Sequence, residues 1–153
     1  VYSGPHELTD IEPETGETYG KLVLSPTRTY APIVTKFLGD VERKEIGGMV
    51  HCSGGGQTKV MHFLQQGRIV KHNMLTIPPL FDAIQKASGT SWEEMYKVFN
   101  MGHRLEAYLP VDLAKHLIGI SQSYGVEAQI IGEVVDGDRG VDIQHGDQWL
   151  SYR

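Results

Sequence analysis

The residues best suited to chemistry lie in two glycine-bearing stretches, Val50-His51-Cys52-Ser53-Gly54-Gly55-Gly56-Gln57-Thr58-Lys59 and Glu94-Met95-Tyr96-Lys97-Val98-Phe99-Asn100-Met101-Gly102. The first reads as a buried strand running into three glycines and then a helix. Such a turn aims free backbone N–H groups at an anion, with a phosphate as the leading choice. A tight turn or close helix packing also requires residues without Cβ, so the glycines alone leave both readings open. Their order matches neither GxxxxGK[ST] nor GxGxxG.

His51 stands immediately before this loop, where an imidazole can transfer a proton or donate a hydrogen bond to a developing anion. A half-buried histidine bonded to a backbone carbonyl is the plainer alternative. Cys52 does not form a Cys/His pair with it, because neighbouring strand residues point to opposite faces; Cys52 reads as core. Ser53 joins Gly54, Gly55 and Gly56 as a candidate phosphate ligand. Arg28, in Ser25-Pro26-Thr27-Arg28-Thr29-Tyr30, is expected in the first turn of a helix, either as an anion partner or as an ordinary surface arginine. Asn100 offers its amide to a ligand or caps a helix. The other histidines, His6, His62, His72, His103, His116 and His145, form no HExxH or compact ligand spacing, so no metal site is expected.

The elements that must position these residues follow from periodicity and punctuation. Residues 1–20 combine glycines and prolines with acidic residues and few large apolar ones, and read as a linker or irregular segment. Ser25-Pro26 reads as a helix start with Ile33, Val34, Phe37 and Leu38 as its apolar stripe, and Pro32 as a kink or restart. In a strand over 46–53, Ile46, Gly48, Val50 and Cys52 share one face and Gly47, Met49, His51 and Ser53 the other. A short helix over 58–66 is expected to turn Val60, Phe63 and Leu64 inward, followed by a strand over 68–72. Pro78-Pro79 opens a helix to Lys86, and Ser91-x-x-Glu94 is a capping box for the helix carrying Met95, Val98 and Phe99. A strand over 104–109 precedes a helix over 112–124 with Leu113, Leu117, Ile120 and Tyr124 on one face. Strands over 129–135, 141–145 and 148–152 read as a closing meander. The pattern predicts an α+β fold, a mixed β-sheet with helices packed on it.

Composition bounds the function. The 153 residues are 40% hydrophobic and 22% charged, which suits one globular core. A net charge of −5 and a pI near 5.8 argue against a broad nucleic-acid or anionic-membrane surface. No apolar run approaches the roughly 20 residues of a membrane span, and the single cysteine allows no internal disulfide, which points to a cytoplasmic setting. The chain opens on Val1 without a signal-peptide pattern, which suggests a piece of something longer.

Taken together, Ser25-Pro26-Thr27-Arg28-Thr29-Tyr30, His51-Cys52-Ser53-Gly54-Gly55-Gly56 and Glu94 to Gly102 resemble the C-terminal domain of aminoimidazole ribonucleotide synthetase, or phosphoribosylformylglycinamidine cyclo-ligase, in order and spacing across about residues 21–135. The resemblance implies a three-layer α/β/α domain over 21–153, with the family's N-terminal ATP-binding domain absent. It implies an ATP-dependent ligase that converts formylglycinamidine ribonucleotide to aminoimidazole ribonucleotide in purine biosynthesis, with release of ADP and phosphate. It further implies Mg2+ bound mainly by the absent domain, a homodimer and an inactive isolated fragment. By position it gives His51 a proton-transfer or anion-stabilising role, Ser53, Gly54, Gly55 and Gly56 a phosphate, and Arg28 and Asn100 an orienting role. Two family stretches are missing: Val60-Met61-His62-Phe63 stands where Asn-Ile-Pro-Arg is usual, and no Ser-Asn-Gly-Tyr stretch precedes. The alternatives are a related superfamily enzyme, such as formylglycinamidine ribonucleotide synthase or the selenophosphate, thiamine phosphate and hydrogenase-maturation branches, and a non-catalytic phosphate-binding or structural module.

Overall fold

The computed structural model describes residues 4–26 and 28–153. Val1 to Ser3, and Thr27 of the Ser25–Tyr30 motif, lie outside the described residues. The α+β class with a mixed sheet holds. Strands β1 (Gly48–His51) and β3 (Leu105–Tyr108) form an antiparallel ribbon in which Val50 faces Glu106. Strands β2 (Arg68–Lys71), β4 (Gly132–Val135), β5 (Gly140–His145) and β6 (Gln148–Tyr152) form a separate mixed sheet in the order β4-β2-β5-β6.

The last three strands are therefore not the simple meander that their spacing suggests. Strand β2 is inserted between β4 and β5, antiparallel to the first and parallel to the second. The turn joining β4 to β5 arches over the start of β2, where the Gly67 N–H donates to the Gly137 carbonyl at 3.1 Å. A diagonal Arg68–Asp142 ion pair, 2.8 Å long and mostly shielded from solvent, fastens β2 to β5.

Five α-helices cover these strands: α1 (Tyr19–Val23), α2 (Ala31–Asp40), α3 (Pro79–Ser88), α4 (Trp92–Val98) and α5 (Val111–Ser123). Helix α2 starts at Ala31, not at Ser25-Pro26, because Pro32 fits only the first turn, where no N–H is needed. Ile33 and Phe37 of its stripe are buried, but Leu38 is exposed. The Ser91 hydroxyl caps α4, accepting the Glu94 N–H at 3.3 Å. Phe63, expected inward, is exposed, as is Tyr124 of the face expected on α5. The segment before α1 folds on itself: the buried Glu12 carboxylate accepts the N–H groups of Glu14 and Thr15 and the Thr15 hydroxyl.

The ribbon divides two apolar clusters. Val50 joins Ile69, Met95, Tyr96, Met101, Val141 and Ile143 on the side of the four-stranded sheet. On the other side Ile33, Phe37, Ile46 and Ile120 pack together, with Met49 and Leu109 against them. Across the first cluster runs a buried polar chain. The Lys71 ammonium, 1% exposed, donates to the Gln57 backbone carbonyl at 2.9 Å, to the Gln57 Oε1 at 3.0 Å and to the Glu106 carboxylate. The second Glu106 oxygen accepts the Tyr108 hydroxyl at 2.8 Å. All three ammonium protons are thus used, as burial of a charge demands.

Removing one member of such a pair strands the other charge. Glu106→Leu is expected to lower the unfolding free energy by about 3–5 kcal/mol, and Lys71→Met/Glu106→Leu to cost clearly less than the two single changes summed. Urea unfolding of the four proteins in the cycle measures this; additive losses would mean that the pair is not coupled.

Candidate functional site

Strand β1 delivers its residues in the expected alternation: Val50 and Cys52 are buried, His51 and Ser53 exposed. The Cys52 N–H is held by the Arg104 carbonyl at 2.8 Å, and the chain then leaves the ribbon. Burial, reinforced by the Glu106 charge, pushes the Cys52 thiol up to about 12, so it stays protonated and is no nucleophile. His51 stands on the opposite, solvent side with the Tyr30 ring edge-on to it, centroids 6.5 Å apart.

The three glycines do different things. Gly56 N–H donates to the Ser53 carbonyl at 3.0 Å, closing the turn. A Cβ on Gly56 would lie 2.5 Å from the carbonyl oxygens of both Tyr96 and Phe99, and its φ is +49°, so this glycine lets the loop dock against the end of α4. Around Gly54 there is open space, and Gly55, at φ +93°, meets only the Lys59 side chain. Among the described residues the N–H groups of Gly54 and Gly55 have no hydrogen-bond partner. The segment that follows, Gly56–His62, is a 3₁₀ helix, and it brings the Lys59 ammonium to 2.6 Å from the Ser53 hydroxyl. Two unpaired N–H groups, a hydroxyl and an ammonium thus belong to one short loop, donors of the kinds that an anion takes.

A cleft of about 490 Å³ borders Gly54 and Gly55 and is flanked by Thr58, His62, Glu94, Lys97 and Arg139, with the Lys97 ammonium 3.5 Å from the Glu94 carboxylate. The Arg139 guanidinium also donates to the Met61 carbonyl at 2.6 Å, which fixes the β4–β5 turn beside the loop. Lys59, Lys97 and Arg139 were not singled out from sequence. Lys59 is on the quoted motif, three residues past the glycines; the other two reach the cleft only through the fold.

Asn100 sits under the loop. Its backbone carbonyl accepts the Gln57 amide at 2.6 Å, and its side-chain oxygen accepts the Gly102 N–H at 2.9 Å. The turn it holds places Met101 in the left-handed region at φ +51° with its side chain fully buried. Arg28 is exposed and lies outside any helix, so the cooperation with a helix dipole expected from sequence does not arise. The structure joins the glycine loop to the Asn100 turn and sets Tyr30, two residues after Arg28, beside His51. Arg28 itself makes no hydrogen bond or ion pair among the described residues.

His103, nearly fully buried, completes the support. The Leu75 N–H donates to its Nε2 at 2.8 Å, leaving Nδ1–H to face the Met101 carbonyl at 3.3 Å. Burial pulls its pKa from 6.5 down to about 4, so the ring is neutral. Among the described residues no group of three or more His, Cys, Asp and Glu side chains gathers as a metal site, and no helix is long and apolar enough to cross a membrane.

Residues 6–144 match the family described as AIR synthase related protein, C-terminal domain. The chain is 32% identical over 134 residues to phosphoribosylformylglycinamidine cyclo-ligase of Methanococcus vannielii, covering 85% of this chain and 38% of that protein. It is 31% identical over 147 residues to the enzyme of the same name from Brevibacillus brevis, covering 94% and 40%. The chain thus spans about two-fifths of the length of these curated relatives. Escherichia coli HypE, a hydrogenase maturation protein, shares the fold at a TM-score of 0.60 and 19% identity, over 85% of this chain and 42% of that one.

Two outcomes test the site's construction. Gly56→Ala should cost about 2–4 kcal/mol of stability through strain and overlap, whereas Gly54→Ala should change it by less than about 0.5 kcal/mol; denaturant titration distinguishes them. His103 titrates at about 4 folded and 6.5 unfolded, so the unfolded chain binds more protons in that window. Its contribution is complete above pH 6.5 and lost as the pH falls toward 4, with a slope of at most about 1.4 kcal/mol per pH unit. Unfolding at intervals across that range should give a shallower slope for His103→Gln.

Proposed function

Because the chain belongs to the AIR synthase related C-terminal domain family, we propose that it is the C-terminal part of an ATP-dependent cyclo-ligase that closes the imidazole ring of formylglycinamidine ribonucleotide. The observation that carries this reading is the family match over 6–144 together with relatives that bear the cyclo-ligase name. ATP supplies the phosphoryl group that turns the formyl oxygen into a leaving group, after which the amidine nitrogen attacks that carbon and phosphate departs with ADP as the other product. Such chemistry requires positioning, charge stabilisation and proton handling more than a protein nucleophile, in keeping with a buried, protonated Cys52.

In this scheme the Gly54 and Gly55 N–H groups, the Ser53 hydroxyl and the Lys59 ammonium hold a substrate phosphate or the transferring phosphoryl group. Gly56 supports them by docking the loop. His51, exposed at the end of β1, handles a proton or faces the developing anion. Arg28 and the Asn100 amide group orient the substrate. Mg2+ is held mainly by the rest of the polypeptide. A cytoplasmic homodimer, built mainly by the rest of the polypeptide, completes the proposal, and this part alone is inactive. The related superfamily enzymes and the non-catalytic module are less favoured, since the relatives are cyclo-ligases.

The test is steady-state kinetics in a polypeptide of the relatives' full length. His51→Ala is expected to lower kcat by about 100-fold or more. Lys59→Ala and Gly55→Ala should act mainly through KM for the phosphate-bearing substrate. Unchanged kcat and KM in His51→Ala would remove that residue from the reaction, and unchanged KM in both loop variants would remove the phosphate from the loop.

A further inference from the structure

Strand β6 is the last of its sheet, and among the described residues nothing pairs with its outer edge. It is joined to β5 by the two-residue turn Gly146-Asp147, with Gly146 at φ +58°. A turn of this length bonds the residues that flank it, so His145 and Gln148 form a hydrogen-bonded pair. By antiparallel alternation Gln148, Leu150 and Tyr152 turn their backbone groups toward β5, and those of Trp149 and Ser151 point out of the sheet. Open edges are usually blunted by lysine, proline, a bulge or an inward charge. Gln148-Trp149-Leu150-Ser151-Tyr152 carries no proline and no charge. Trp149, on the face of the sheet where the Ser151 hydroxyl meets Asp142, is 51% exposed.

Charge flanks the strand at its two ends, acidic at Asp147 and basic at Arg153, and the two are equidistant from Leu150. An antiparallel pair of β6 strands centred on Leu150 therefore sets Asp147 opposite the partner's Arg153, twice over. In the same register Trp149 faces the partner's Ser151, so the outward N–H and C=O groups of both residues are bonded. A register shifted by one strand period still matches outward groups but separates the charges. The two Trp149 side chains lie on one face and become diagonal neighbours across the axis, a separation that aromatic rings span. We propose that β6 is an interface between two copies of this chain, joined antiparallel about Leu150 with Asp147 against the partner's Arg153. The contact is isologous and extends β4-β2-β5-β6 across a two-fold axis into one continuous sheet. The Arg153 side chain, 3.6 Å from Asp142 and 62% exposed, has room to turn toward the new carboxylate.

Amide exchange by NMR and mass by light scattering test this over a dilution series of residues 1–153 up to about 1 mM. The mass should rise from 17.0 kDa toward twice that value. The Trp149 and Ser151 amides should slow as it rises, while Leu150, bonded to β5, is protected throughout. Asp147→Arg and Arg153→Glu should each weaken association by about 10-fold or more, and the two changes combined should restore it to within about threefold. A mass of 17.0 kDa at every concentration would overturn the proposal. So would association that leaves the Trp149 and Ser151 amides fast or ignores the charge changes, since either places the contact elsewhere. If residues 1–153 do not fold alone, exchange in the native polypeptide decides. Trp149 and Ser151 amides as protected as Leu150, and faster by about 10-fold or more in Asp147→Arg, support the pairing. Exchange at both about 100-fold faster than at Leu150, or protection that Asp147→Arg leaves unchanged, overturns it.

Discussion

The structure depends on a buried ammonium. Lys71 leaves the four-stranded sheet from β2 and meets Glu106 of β3, so a single ion pair crosses from the sheet to the ribbon. Its other two protons go to Gln57, whose own amide donates to the Asn100 and His103 carbonyls. Two stretches distant in sequence are thereby locked together: the 3₁₀ helix after the glycines with β2, and the 100–103 turn with β3. In low dielectric each of these bonds is strong and each missing one is costly, so the arrangement is unforgiving of displacement.

That rigidity gives the glycine loop its meaning. A turn with unpaired N–H groups is of use to an anion only if it is held in place before the ligand arrives. Gln57 pins the loop from below, Gly56 seats it against the last carbonyls of α4, and Gly54 and Gly55 are left facing solvent with Lys59 and Ser53. Packing claims only Gly56 of the triplet, so the proposed anion role concerns Gly54 and Gly55, whose N–H groups have no partner among the described residues.

Much of this was legible in the residues. The alternation from Ile46 to Ser53 assigned the faces of His51 and Cys52 correctly, since a strand's period of two leaves little choice once Val50 must be buried. Pro32 marked a helix restart, and Ser91 marked a helix start that its hydroxyl does cap. Phe63 misled because a stripe extrapolated past the short 3₁₀ helix that ends at His62 assumes a period that this helix does not keep. Arg28 misled because Ser25-Pro26 suits a helix start locally, whereas Pro32 set the actual one.

The sequence by itself determined the α+β class, the family and the strand–glycine–helix order of the candidate site, because these rest on local backbone preference and on motif spacing along the chain. Only the tertiary structure decided that β2 lies between β4 and β5, that Lys97 and Arg139 flank the cleft, and that Lys71, Gln57 and Glu106 form one buried unit. A lysine and a glutamate 35 residues apart look like two surface charges until folding removes the water that would otherwise solvate them. Their partnership is a property of the desolvated interior, and no local pattern records it.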